Sequence, residues 1–303
     1  MSTEEGFLDI DGGKIWYKIY GADSSGIPLV VVHGGPGFSH DYMEPLNGLA
    51  DERPVIFYDQ TDCGNSTKSD DQSRWNVEYL GRELKQVCEA LKLRRCHALG
   101  HSFASSIVIS CLVEAKCEAI TSLILANPML NGQQLYDGIC SAIASMPEEH
   151  CAVLTSAINS DKADNPASSP FTAEQFEKAA TAIYKRFYCR LEPWPDCLYR
   201  SIEKQNISFY NHTIGQSLFN FTGLLRNYDI MDKLGGITVP VLLMWGAHEC
   251  VNLDTDIVTF YNNKIPGARS VVFNESSHMA HLEETEAYLK AVSGFLRKIE
   301  TGN

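Results

Sequence analysis

Ser102 stands in a segment that could raise it as a nucleophile, LGHSFA at residues 99–104. An apolar run precedes this segment and a helix-compatible run at 105–114 follows it, so strand, sharp turn and helix are expected in that order. Gly100 and Ala104 supply the small side chains that such a turn needs, although Ala104 adds a methyl group where glycine is usual. Because serine is a weak nucleophile near neutral pH, the turn could catalyse acyl transfer only with a base and an orienting acid.

The base is expected beyond the last strand of the fold. Chains with this kind of turn present the serine, the acid and the histidine in that order, each just past a strand. The apolar run at 269–273 predicts the last strand, and His278 follows it in a short loop. His278 is therefore the predicted base, and His281, three residues on, is a second candidate.

The acid is expected after the preceding strand, which the apolar run at 239–246 predicts. Glu249 is the first carboxylate beyond that run. A glutamate can hold the imidazole in one tautomer and stabilise the imidazolium as an aspartate does. Asp254 and Asp256 follow closely and are rival candidates for the same role.

A glycine-rich turn, HGGPG at residues 33–37, follows the strand-like run at 28–33. Glycine lets backbone N–H groups approach a ligand without a Cβ in the way, as the oxyanion of acyl transfer requires. The predicted oxyanion hole consists of the N–H groups of Gly35 and of Phe103, which directly follows the nucleophile.

Apolar runs alternate with helix-compatible segments along most of the chain. This alternation predicts an α/β fold with a mostly parallel central sheet and helices on both faces. A β-hairpin around residues 11–13 is expected to open it. Helical segments with irregular joints fill residues 131–236 and predict an inserted helical cap, which leaves 1–130 and 237–303 as the core.

The composition excludes several classes of partner. The formal net charge is −13 and no Lys/Arg cluster is present, which argues against nucleic acid and anionic membranes. An acidic start without a signal peptide, and ten cysteines without zinc-binding spacing, indicate reduced thiols in a cytoplasmic protein. We expect a small-molecule substrate, no cofactor and no metal ion, and the sequence leaves the oligomeric state open.

Together these motifs resemble the α/β-hydrolase superfamily and, within it, the proline iminopeptidase family. The family signature HGGPG stands at 33–37, and YDQTDCGNS at 58–66 is similar to the loop Y-D-Q-x-x-C-G-x-S of the family. PWP at 193–195 and SSHMAHLE at 276–283 are similar to its cap and to the stretch around its catalytic histidine. The resemblance runs almost end to end and implies the α/β-hydrolase fold.

Carried over by position, the resemblance implies the same site as the spacing does. Ser102 is the nucleophile, His278 the base, and Glu249 stands where the family has aspartate. Aminopeptidases of the family recognise a free N-terminal amine through two glutamates. Leu218 and Cys250 occupy those two positions here, and a buried ammonium without a carboxylate costs several kcal/mol.

The substrate pocket is predicted between the glycine-rich turn, the serine turn and the cap. The cap is rich in aromatic residues, among them Tyr184 and Tyr188, which suits a largely hydrophobic small molecule. The predicted pocket residues are His33, Gly34, His101, Trp194, Leu218, Phe219 and Cys250.

The sequence thus predicts a serine hydrolase of the proline iminopeptidase-like family. Its expected substrate is a small, largely apolar ester, lactone or amide, with secondary metabolism as the expected setting. A prolyl aminopeptidase is the first alternative, opposed by Leu218 and Cys250. A lyase, cyclase or isomerase that uses only the acid and base of the site is the second, and a non-enzymatic binding protein of the same fold is the third.

Overall fold

An eight-stranded sheet forms the centre of the computed structural model, which describes residues 2–158, 170–252 and 257–302. The strand order is β1-β2-β4-β3-β5-β6-β7-β8. The hairpin β1–β2 is antiparallel and joins β4 in antiparallel fashion, whereas β4, β3 and β5 to β8 run parallel. The predicted mostly parallel sheet is confirmed. The strands are β1 (Thr3–Ile10), β2 (Gly13–Tyr20), β3 (Leu29–Val32), β4 (Val55–Tyr58), β5 (Cys96–His101), β6 (Ile120–Ala126), β7 (Val241–Gly246) and β8 (Arg269–Phe273).

Helices cover both faces of the sheet. The described α-helices are α1 (Val77–Ala90), α2 (Ala104–Val113), α3 (Gly132–Ala144), α4 (Glu148–Ile158), α5 (Ala173–Phe187), α6 (Asp196–Glu203), α7 (Ile207–Thr213), α8 (Ile257–Lys264), α9 (Ala280–Glu283) and α10 (Thr285–Thr301). Because side chains alternate along a strand, Val30 and Val32 pack on the side of α1 and α2, and Leu29 and Val31 pack on the side of α10. None of the described helices is long and apolar enough to cross a membrane.

The long segment between β6 and β7 is mostly helical where it is described. Helices α3 to α7 lie here, and α3, α4 and α5 share a hydrophobic cluster of their own that includes Ile139, Leu154 and Ile183. Helix α6 is joined to the segment after β3, because Lys204 Nζ lies 2.9 Å from an Asp41 carboxylate oxygen. The boundaries 131–236 for a cap domain remain a prediction.

Glu83, on the inner face of α1, is a buried carboxyl group. Only 2% of the residue is exposed, and its two carboxyl oxygens lie 3.2 and 3.1 Å from the backbone nitrogen of Thr61. Burial raises the pKa of Glu83 from 4.5 to about 8, although the Thr61 N–H opposes this effect. Glu83 is therefore protonated in the folded protein at neutral pH.

This shift predicts a pH-dependent stability. Above pH 4.5 the Glu83 carboxyl group releases its proton in the unfolded chain but keeps it in the folded protein. The contribution of Glu83 to the free energy of unfolding is therefore lost progressively as pH rises to about 8. The free energy of unfolding should fall by a few kcal/mol across this window. Glu83→Gln should remove this part of the slope and raise the unfolding midpoint at the alkaline end, measured by chemical denaturation. Glu89→Gln, an exposed change on the same helix, is the control, and an equal slope in both variants would contradict the assignment.

Candidate active site

Ser102 lies on a strained turn between β5 and α2. Its φ angle is +56°, in the left-handed region that a serine seldom adopts. The turn requires Gly100, because a Cβ there would lie 2.4 Å from the backbone oxygen of Ala104. The backbone N–H of Ser102 donates to Ala126 on β6 at 2.8 Å, which fixes the turn against the neighbouring strand. The methyl group of Ala104 is accommodated in the core, where that residue is fully buried.

His278 and Glu249 meet across the ends of β8 and β7. Nδ1 of His278 lies 2.5 Å from Oε2 of Glu249. A carboxylate oxygen accepts, so Nδ1 carries the proton and Nε2 is left to act as a base. Ser102 and His278 both line the same cavity, without a hydrogen bond between their side chains in the described chain. Such contacts often tighten only when substrate binds.

The second oxygen of Glu249 is held by its neighbour in the chain. Oε1 accepts the backbone N–H of Cys250 at 2.9 Å and the Sγ–H of Cys250 at 3.1 Å. Burial would raise the pKa of Glu249, but the charge interaction with His278 and the hydrogen bonds from His278 and Cys250 outweigh it, so the pKa lies below its usual value. Glu249 is thus a buried, ionised carboxylate with both oxygens engaged.

Gly35 and Phe103, the residues of the predicted oxyanion hole, both lie beside Ser102. Gly35 has a φ of +125°, which glycine alone adopts without strain, and Phe103 precedes α2 directly. Neither N–H has an acceptor within the residues that the structure describes. The turn of Gly35 lies close to Ser102, because a Cβ on the adjacent Gly34 would come within 3.2 Å of Ser102 Cβ. Gly35 and Phe103 both line the cavity of Ser102.

The cavity measures about 1040 Å³, including the space open to solvent at its mouth. It lies between the carboxyl ends of the strands and the helical segment, as ligand sites in parallel sheets usually do. Its wall is mostly aliphatic and aromatic, with contributions from α3, α5 and α8. Of the predicted pocket residues, Leu218, Phe219 and Cys250 line it, together with Ser102, His278, Glu249, Gly35 and Phe103.

The other four predicted pocket residues, namely His33, Gly34, His101 and Trp194, are not among the described residues that line this cavity. The ring of His33 turns towards the loop after β4, where its Nε2 accepts the backbone N–H of Gln60 at 3.1 Å. Trp194 packs against Tyr188 from outside and donates its Nε1–H to the backbone oxygen of Cys189 at 2.9 Å. His101 and Gly34 lie behind Ser102, in a hydrogen-bond chain described below.

The alternative candidates were His281 for the base and Asp254 or Asp256 for the acid. His281 lies outside the cavity, where its Nε2 donates to the backbone oxygen of Tyr42 at 3.1 Å. Burial lowers the pKa of His281 to about 3, so it stays neutral. Asp254 and Asp256 lie outside the described residues.

A buried hydrogen-bond chain joins the glycine-rich turn to the loop of His278. The Gly34 N–H donates to the Tyr42 hydroxyl at 2.7 Å, and that hydroxyl lies 2.9 Å from His101 Nδ1. His101 Nε2 lies 2.9 Å from the backbone oxygen of His278, which can only accept. Burial lowers the pKa of His101 well below its usual value, so the ring carries one proton, on Nε2. Tyr42 therefore donates to Nδ1.

Asn127, directly after β6, joins the loop of His278 to the end of β7, which precedes Glu249. Its Nδ2 donates to the same His278 backbone oxygen at 2.8 Å, and its Oδ1 accepts the Gly246 N–H at 2.9 Å. Neither Asn127 nor Tyr42 was predicted from the sequence as a site residue. A polar residue at the end of a parallel strand was the available signal for Asn127, whereas nothing in the sequence distinguished Tyr42.

One group of side chains in the described part of the chain could hold a metal ion by its spacing, the trio His40, Asp41 and Glu44. All three already have partners. His40 bonds Asp59, and the two carboxylates form ion pairs with Lys204 and Arg200. The trio is thus accounted for by structural ion pairs.

Comparison with known proteins places this geometry in a family. The profile of the α/β-hydrolase fold matches residues 27–285. The chain is 32% identical over 297 residues to a proline iminopeptidase of Heyndrickxia coagulans, covering 97% of this chain and 99% of that one. The chain belongs to the α/β-hydrolase family and is proline iminopeptidase-like.

Solved structures agree with this α/β-hydrolase assignment. The proline iminopeptidase of Mycobacterium smegmatis superimposes with a TM-score of 0.89 at 28% identity and covers 99% of both chains. VinJ superimposes with a TM-score of 0.87 at 25% identity, covering 98% of this chain and 99% of its own. The α/β-hydrolase fold is confirmed, and the chain is a hydrolase of the esterase or aminopeptidase-like kind.

Proposed function

We propose that this α/β-hydrolase is a serine hydrolase that cleaves a small, largely apolar and uncharged ester, lactone or amide. The observation that carries the proposal is the composition of one cavity. It is lined by Ser102, His278, Gly35 and Phe103 together with mostly apolar side chains. Glu249 is the carboxylate among the described lining residues, and it is already hydrogen-bonded to His278 and Cys250.

The proposed mechanism follows from these positions. Ser102 Oγ attacks the carbonyl carbon while Nε2 of His278 takes its proton, and Glu249 stabilises the resulting imidazolium through Nδ1–H. The N–H groups of Gly35 and Phe103 donate to the oxyanion of the tetrahedral intermediate. His278 then returns the proton to the departing alcohol or amine. Water then attacks the acyl-enzyme in the same way, with His278 as the base, and the acid is released.

Prolyl aminopeptidase activity is the second candidate, because the chain resembles proline iminopeptidases over nearly its whole length. The cavity wall argues against it. Leu218 and Cys250 line the wall at the two places where the family resemblance implies amine-binding glutamates. No lysine, arginine or unengaged carboxylate is among the described lining residues. Among the described residues, a substrate ammonium would therefore lose its hydration without gaining a counter-charge.

From the composition of the wall we expect that adding carboxylates at Leu218 and Cys250 shifts the substrate preference from apolar esters towards proline arylamide. The wild-type protein should hydrolyse uncharged aryl esters and lactones and turn over proline arylamide at most weakly. The double variant Leu218→Glu/Cys250→Glu should raise kcat/KM for proline arylamide by roughly ten- to a hundredfold, which corresponds to about one charge-assisted hydrogen bond. It should lower kcat/KM for apolar esters.

The matched control is Leu218→Gln/Cys250→Gln, which adds similar volume without charge. Rapid proline arylamide turnover by the wild type would establish the aminopeptidase instead. Equal gains in both double variants would show that charge is not the missing element.

A further inference from the structure

We propose that the hydroxyl groups of Tyr184 and Tyr188 form a subsite for a hydrogen-bond-accepting oxygen of an uncharged substrate, beside the carbonyl that Ser102 attacks. The inference rests on the proposed function, because it takes the reacting carbonyl to lie at Ser102. The inference narrows the substrate class to apolar acyl compounds that carry a further oxygen outside the reacting acyl group, in a keto or ether group. Nothing in the family resemblance assigns these two tyrosines a role.

The two tyrosines lie on one face of the helical segment. Tyr184 is in α5 and Tyr188 follows the end of that helix, four residues later, so about one turn separates them. Their ring centroids are 5.9 Å apart with the planes inclined by 68°. Both side chains line the cavity of Ser102. They therefore lie in one patch of its wall.

Neither hydroxyl group has a hydrogen-bond partner within the described chain, although most of each ring is buried. Burial raises the pKa of Tyr184 to about 12 and that of Tyr188 well above its usual value. Both groups therefore keep their protons at neutral pH and remain donors. A donor left unpaired against a hydrocarbon ligand costs free energy, whereas an oxygen of the ligand would satisfy it.

The other polar groups of the wall are mostly engaged already. Gln134 keeps an amide nitrogen without a partner among the described residues, on the part of the wall that borders a smaller neighbouring cavity. The engaged groups are Asn127 with His278 and Gly246, Asn131 with Gln134 and Asp229, Tyr261 with Gln134, and Glu249 with His278 and Cys250. The side chains that the described wall still offers a ligand are thus uncharged, and the two tyrosine hydroxyls and the Gln134 amide can each donate to an oxygen acceptor.

The position of Tyr188 places this patch next to the reacting centre. Its ring stacks on the imidazole of His278, with centroids 5.5 Å apart and an angle of 21° between the planes. Because His278 must reach the Ser102 hydroxyl, a substrate carbonyl at Ser102 lies beside this stack. The second oxygen is therefore expected within a few atoms of the reacting carbonyl.

The test compares the para-nitrophenyl ester of hexanoic acid with analogues in which a carbonyl group or an ether oxygen replaces one methylene of the acyl chain. The replaced methylene differs from one analogue to the next. For at least one analogue, kcat/KM relative to the hexanoate ester should exceed the ratio of their uncatalysed hydrolysis rates.

Tyr184→Phe and Tyr188→Phe each remove one hydroxyl oxygen and keep the ring. Each should lower the preference for that analogue over hexanoate about three- to tenfold, mainly through KM. Tyr199→Phe, an exposed change on α6, should leave the preference unchanged.

A binding measurement separates this proposal from the catalytic one. The matching carboxamides, plain and oxygenated, are titrated calorimetrically into the wild type and the two phenylalanine variants. Tighter binding of the oxygenated amide that is lost in the variants supports the subsite even if no ester is hydrolysed. An unchanged ratio of dissociation constants, with or without ester turnover, refutes it.

Discussion

Replacing Ser102 with alanine should lower kcat for an uncharged aryl ester by roughly 10⁴- to 10⁶-fold and abolish labelling by a fluorophosphonate probe. The reason is that the acyl-enzyme cannot form without Oγ. The free N–H groups of Gly35 and Phe103 remain, so a small residual activity over the uncatalysed reaction is expected. Steady-state kinetics and mass spectrometry of the labelled protein provide the measurement.

A serine one turn along α2 offers the matched control. Ser106 is buried and donates its hydroxyl to the backbone oxygen of Met129 at 2.6 Å, away from the cavity. Ser106→Ala should keep kcat within a few-fold of the wild type and should still be labelled. If labelling persists in Ser102→Ala, the nucleophile has been assigned to the wrong residue.

Glu249→Gln should lower kcat by about 10⁴-fold with little change in stability. The structure gives a specific reason. In the wild type, one oxygen faces His278 Nδ1–H and the other accepts from Cys250 N–H. A glutamine has a single oxygen for these two donors. If the Cys250 N–H takes it, the amide NH₂ faces Nδ1 and favours the imidazole tautomer that cannot accept the serine proton from Nε2.

The rival acids provide the comparison for this prediction. Asp254→Asn and Asp256→Asn should change kcat by no more than a few-fold if Glu249 is the acid. A large loss in either of them, with Glu249→Gln nearly as active as the wild type, would falsify the assignment. Thermal unfolding of all three variants controls for loss of folded protein.

The sheet could be predicted from the sequence because its strands are short apolar runs bounded by glycine, proline and polar residues. The run at 269–273 coincides with β8, and those at 28–33 and 239–246 enclose β3 and β7. Chain order then placed Ser102, Glu249 and His278 at one edge, since the carboxyl ends of parallel strands share that edge. The contact of His278 with Glu249 agrees with this reasoning.

The wall of the cavity was harder to predict, because it depends on side-chain directions and on long-range packing. His101 adjoins the nucleophile in sequence, yet as the last residue of β5 its ring turns into the core behind it. Trp194 belongs to an aromatic-rich segment that packs partly on itself. The stacking of Tyr188 on His278 joins residues far apart in the chain, and no local pattern indicates it.

The buried chain from Gly34 through Tyr42 and His101 to His278 has a consequence for how the site is assembled. A peptide N–H can only donate and a carbonyl oxygen can only accept, so both ends of the chain are fixed and the two side chains between them have a single consistent orientation. The glycine-rich turn and the loop of His278 therefore share one proton arrangement, with no alternative of equal energy. Folding alone sets their relative position, and a substrate meets a site whose dipoles are already aligned.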